Sequence, residues 1–235
     1  MRIDERAMNH APPAPGRPST RAPLAPVDAI VLGASAGGVE ALLAVLGALP
    51  SSFVLPIVAV LHIPSDKPSL LVEVLGARAR IAVREAEDKE VLLPGLVLAP
   101  PDYHVLLDVE GDHRHVAGAQ DVRLALSNDA PVNYCRPSID VLFQSAAEVL
   151  GPRVAGVVLT GANADGALGL RAIKAYGGLC AAQSPDEAPA RAMPEAAIAS
   201  AQPQLVAPLN DITQWIISLG AHLAGGMGGT VFHGR

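Results

Sequence analysis

An apolar run, Ala29-Ile30-Val31-Leu32, passes directly into Gly33-Ala34-Ser35-Ala36-Gly37-Gly38 and then into an amphipathic segment. Aliphatic residues, a glycine turn carrying one hydroxyl, and a helical repeat spell strand, tight turn and helix. That is the opening unit of a parallel α/β sheet. In such sheets ligands bind beyond the carboxyl ends of the strands, where helix N-termini present backbone N–H groups to negative charge. Ser35 is therefore placed either as a nucleophile or as a ligand to phosphate. The second option fits poorly with a dinucleotide: Gly33-x-Ser35-x-Gly37-Gly38 lacks the G-x-G-x-x-G spacing. The next strand also ends at His62, where a ribose-binding site needs an acidic residue.

The same alternation continues along the chain. Val39, Leu42, Leu43 and Leu46 fall on one helical face that ends near Pro50. Strands are predicted at 57–61, 81–84, 96–99, 154–160 and 179–182, with helices at 69–75, 138–150, 168–176, 195–199 and 211–219. Residues 105–109 and 113–117, around Glu110-Gly111-Asp112, read as an antiparallel hairpin. The expectation is one α/β domain over residues 27–223: a doubly wound, mostly parallel sheet with an appended antiparallel hairpin. A Pro-rich flexible leader at 1–26 and a Gly-rich flexible tail at 224–235 flank it.

Composition narrows the function classes. Hydrophobic residues make up 50% of the chain and aromatics only 3%, so the core must be aliphatic, as buried parallel strands require. A net charge of −6 with no basic block argues against nucleic acid as a partner. No apolar stretch reaches the roughly 20 residues needed to span a bilayer, and the leader has no apolar core of a signal peptide. Cys135 and Cys180 lie far apart in no C-x-x-C pattern, which fits reduced thiols in a cytoplasmic protein. No His, Cys or Asp cluster has metal-ligand spacing, so neither a metal nor a cofactor is expected.

Three polar residues stand just past buried strands: Ser35, His62 and Asp165. Taken singly, each has an ordinary reading, as a helix cap, a rim histidine and another cap. Together they supply a nucleophile, a base and the acceptor that holds the base's tautomer, each once. Their chain order differs from the Ser-Asp-His order of α/β-hydrolases.

Beyond these residues, the chain resembles the catalytic domain of the CheB chemotaxis-receptor methylesterases from Ile30 to about Val206. The resemblance is carried by Gly-Ala-Ser-Ala-Gly-Gly at 33–38 and the strand leading to His62. It continues with Leu93-Pro94-Gly95, Leu98-Ala99-Pro100, Asp102-Tyr103-His104 and Arg136-Pro137-Ser138-Ile139-Asp140-Val141-Leu142-Phe143. Further blocks are Val158-Leu159-Thr160-Gly161, Asp165-Gly166-Ala167 with Gly169-Leu170, and Met193-Pro194 with Ala196-Ala197-Ile198. It implies Ser35 as nucleophile, His62 as base and Asp165 as its orienting partner. The implied reaction is hydrolysis of glutamate γ-methyl esters on the cytoplasmic helices of chemotaxis receptors, with glutamine deamidation as a companion. Arg136 and His104 are candidate substrate contacts, each with a local structural role as the alternative; Asp140 is expected to serve the start of its helix. The chain departs from the family pattern at Ala36, Leu61, Ala162 and Asn163, and a 26-residue leader cannot hold the receiver domain that precedes the familiar esterase. A stand-alone esterase is thus expected, and a catalytically weak adaptor that binds receptors or signalling partners is the alternative.

Overall fold

A computed structural model of the chain describes residues 26–62, 70–109 and 118–226, with side chains as far as 221. Nearly all of the leader and the tail beyond Gly226 lie outside these residues, as do the hairpin turn and the strand expected at 113–117.

Seven parallel strands form the main sheet. In chain order they are β1 (Ala29–Ala34), β2 (Pro56–Leu61), β3 (Val83–Glu85), β4 (Gly95–Leu98), and, later, β7 (Val154–Val158), β8 (Leu179–Gln183) and β9 (Leu205–Ala207). Their spatial order is β3-β4-β2-β1-β7-β8-β9. The chain thus builds β2, the edge strand β3 and then the intervening β4 on one side of β1, and later returns to build outward on the other. That reversal lies between β1 and β7, and the crevice beyond it is where a doubly wound sheet binds ligands.

Each central strand is apolar throughout because both its faces are covered. Odd residues of β1 (Ala29, Val31) join one core with Val58, Val60, Val154 and Val158; even residues (Ile30, Leu32, Ala34) join the other with Ile57, Ala59, Ala155 and Val157. The first core is roofed by α3 (Ile139–Leu150), α4 (Ala167–Ala175) and α5 (Ala192–Ala201). The second lies under α1 (Gly38–Ala48), α2 (Leu71–Gly76) and α6 (Leu209–Gly226). Helix α6 runs three residues into the segment expected to be a loose tail.

The antiparallel element differs from expectation in its partner. β5 (His104–Val109) pairs with β6 (Val122–Ser127), from Val109↔Val122 to His104↔Ser127, as a two-stranded sheet of its own. Alternation decides it: Val122 and Leu124 are buried beside Val105 and Leu107 in the first core, while Arg123 and Ala125 are less covered.

Candidate active site

The β1–α1 turn is held by its backbone. Ser35 N–H donates to Thr160 O at 2.9 Å, and Thr160 Oγ donates to Ala36 O at 2.8 Å, tying this turn to the one after β7. Gly37 takes φ +77° to swing the chain into α1, a conformation that costs a residue with a Cβ. Among the described residues, Ala36 N–H and Gly37 N–H have no acceptor, so both remain available beside the Ser35 hydroxyl. Leu61, one of the departures noted above, is a core residue: its side chain fills the space a Cβ on Gly38 would need.

His62 follows β2, whose Leu61 is in register with Ala34 of β1; Ser35 and His62 are thus the next residues on neighbouring strands, where backbones run about 4.8 Å apart. His62 N–H donates to Ala34 O at 3.1 Å, which extends the ladder to this point. Across the imidazole, Nε2 lies 3.0 Å from Asp165 Oδ2. Nδ1 faces the other way, 3.8 Å from Cys135 Sγ and 3.4 Å from the Asn163 amide nitrogen. Among the described residues no hydrogen bond joins Ser35 Oγ to the imidazole.

Asp165 is fully buried and its carboxylate is heavily coordinated. Oδ1 accepts from Ser138 Oγ at 2.9 Å, Asp140 N–H at 3.2 Å and Asn133 Nδ2 at 3.3 Å, and Oδ2 accepts from Ile139 N–H at 2.6 Å as well as from His62. Two of these donors are the first N–H groups of α3, so the carboxylate sits at the positive end of that helix. Burial pushes the Asp165 pKa up, but the bonds from His62, Ile139 N–H and Ser138 together with the His62 charge outweigh it and hold the group below the ordinary carboxylate range. Ionised Asp165 fixes the neutral tautomer of His62 with hydrogen on Nε2 and a lone pair on Nδ1.

Residues that no sequence pattern singles out support this pair. Ser138 caps α3 and holds Asp165, while Thr160 and Asn133 bridge turns. Asp140 lies in the first turn of α3, as expected, and its carboxylate does more: Oδ1 accepts from Gly169 N–H at 2.7 Å, locking α3 to α4, and Oδ2 accepts from Asn133.

The two residues put forward as substrate contacts are both engaged locally. His104 is buried, its Nδ1 accepting from Ser138 N–H at 3.1 Å and its Nε2 lying 3.3 Å from Ala130 O, so it supports Ser138 from behind. Arg136 donates twice to Asp102 Oδ1, at 2.9 and 2.6 Å, and to the carbonyls of Asn128 and Asp129.

A histidine polarised by a buried carboxylate, beside a serine on a glycine turn and two free backbone N–H groups, has the parts of a covalent hydrolase site at the switch point of a parallel sheet. Comparison with known proteins gives the class its family. A family model described as CheB methylesterase matches residues 30–216. A protein of Leptospira interrogans whose name refers to protein-glutamate methylesterase and protein-glutamine glutaminase is 40% identical over 193 residues, 82% of this chain and 94% of that one. The protein-glutamate methylesterase/protein-glutamine glutaminase 1 of Cupriavidus metallidurans is 39% identical over 225 residues, 95% of this chain but 60% of that one. The crystal structure of the Thermotoga maritima CheB methylesterase catalytic domain superimposes with a TM-score of 0.75 at 31% identity, covering 83% of this chain and all of that one. The chain belongs to the CheB methylesterase family.

Proposed function

We propose that this chain is a serine esterase that hydrolyses glutamate γ-methyl esters on the cytoplasmic signalling helices of chemotaxis receptors, and that it deamidates receptor glutamines by the same acyl chemistry. Ser35 Oγ attacks the ester carbonyl while His62 Nδ1 takes its proton. The Nε2–H bond to Asp165 stabilises the imidazolium. Ala36 and Gly37 N–H groups receive the developing oxyanion, a contribution that does not depend on the side chain at position 36. The imidazolium then gives its proton to the departing methoxide oxygen, which leaves as methanol, or to the departing amide nitrogen, which leaves as ammonia. Water next attacks the acyl-enzyme, again through His62, and releases glutamate.

The observation that carries this reading is the 3.0 Å bond from His62 Nε2 to a fully buried, ionised Asp165, with the register placing Ser35 beside the histidine. One other observation favours a catalytically weak adaptor: Nδ1 faces Cys135 and Asn163, and Ser35 Oγ makes no bond to it among the described residues.

Methanol release from methylated receptor by the purified protein separates the two. The esterase reading expects turnover in the wild type and a fall of about 10³-fold or more in Ser35→Ala. Receptor binding without any methanol from the wild type would establish the adaptor instead.

A further inference from the structure

Cys135 has no part in the chemistry above, yet it stands against the base. Its thiol lies 3.8 Å from His62 Nδ1. Ligand atoms of His62, Cys135 and Asp165 all fall within 4.8 Å of one another. The Asn163 amide nitrogen is 3.4 Å from Nδ1 and 3.3 Å from Sγ. A soft sulfur and a borderline imidazole nitrogen thus converge on one amide N–H group, an arrangement that also suits a cation. With Asp165 holding hydrogen on Nε2, the Nδ1 lone pair is already turned toward that point.

We propose that Cys135 Sγ and His62 Nδ1 form a site for a thiophilic divalent cation such as Zn²⁺, and that filling it switches the enzyme off by occupying the base. The metrics fit. Zn–S and Zn–N bonds of about 2.3 and 2.05 Å at a tetrahedral angle put the two donors roughly 3.6 Å apart, and here they are 3.8 Å apart. Asp165 completes a carboxylate–histidine–metal arrangement from the far side of the ring. Binding exchanges waters of the ion for one Zn–S and one Zn–N bond, breaks the thiol's bond to Asn133 O, displaces the Asn163 amide and sends the thiol proton to solvent, with no change of oxidation state. Two protein ligands, with water in the remaining positions, make an exchangeable site and not a structural one. Sequence spacing gave no sign of it because the two ligands lie 73 residues apart and meet only in the fold.

Inhibition rests on His62 being the base, but binding does not, so the two are tested apart. Cd²⁺ is titrated into the metal-free full-length protein and the ultraviolet thiolate-to-cadmium charge-transfer band is followed, with Zn²⁺ as competitor. The expected result is a saturating band that Zn²⁺ abolishes, that Cys180→Ser and Ser35→Ala retain, and that folded Cys135→Ser lacks. Asp165→Asn should weaken Cd²⁺ binding about 10- to 100-fold, as loss of an outer carboxylate does. No band in the wild type, or an unchanged band in Cys135→Ser, overturns the site. Where methanol release is observed, Zn²⁺ at site-filling concentration should suppress it, each rate taken relative to the same variant without metal. Equal suppression of wild type and Cys135→Ser overturns the switch.

Discussion

Asn133 Nδ2 reaches both Asp165 and Asp140, yet the two carboxylates stand on opposite sides of ordinary acidity. Burial raises Asp140, with the Asp165 charge adding to it, whereas the donors around Asp165 overcome burial and lower it. The linkage signs follow. A folded pKa below the unfolded value of about 3.9 gives Asp165 a stabilising contribution that is complete above about pH 4 and is lost as pH falls through the folded value. Asp140 acts oppositely, costing stability once pH climbs above the unfolded value. Asp165→Asn should therefore destabilise at neutral pH by roughly 1–3 kcal/mol, and urea titrations near pH 3 should show that penalty shrinking. Its turnover should fall by about 10⁴-fold through the wrong imidazole tautomer, read as kcat for methanol release. The second cysteine makes a separate case: burial pushes the Cys180 thiol up to about 12, so a disulfide reagent at neutral pH should label it only after unfolding. Ser35 and His62 stood out as candidates because each directly follows an apolar strand, and Asp165 because it lies in the glycine turn between β7 and α4. Ser138, Asn133 and Thr160 did not, since a hydrogen-bond partner 25 or more residues away leaves no local pattern.

Among the elements, β1 and α1 were readable within a residue or two because a fully apolar strand and a 3.6-residue period are strong, separate signals. β6 and β9 escaped. β9 is three residues long, and β6 lost to a nearer segment behind a plausible turn, although its own alternation is clear once the core is known. β1 also sets where α3 begins. A Cβ on Gly33 would sit 2.4 Å from Ile139 Cγ2, so strand and helix meet with no space for a methyl group. Gly33→Ala should shift the α3 N-terminus, loosen the Ile139 N–H bond to Asp165, and cost about 1–3 kcal/mol as overpacking. Denaturant midpoints measure the stability loss. A fall in kcat larger than Ile139→Val produces would show that the strain reaches the carboxylate.

At the scale of the molecule, no described helix is long and apolar enough to cross a membrane, and the sheet is a doubly wound layer between two aliphatic cores. That architecture was legible from the alternation of strand and helix patterns, but the strand order was not, because aliphatic strands carry little to distinguish one neighbour from another. The order decides how the site comes into being. β1 pairs with β2 on one side and with β7 on the other, so Ile30 meets both Ile57 and Ala155. The second pairing joins segments far apart in the sequence, a long-range contact of the kind that folds slowly. The residues of the site straddle that seam, with Ser35 and His62 on the early side and Asp165 on the late side. On refolding from urea, helical circular dichroism should therefore recover ahead of methanol release, and the lag between them would time the docking of β7 against β1. Catalysis in this chain would then serve as a clock for the last stage of its own assembly.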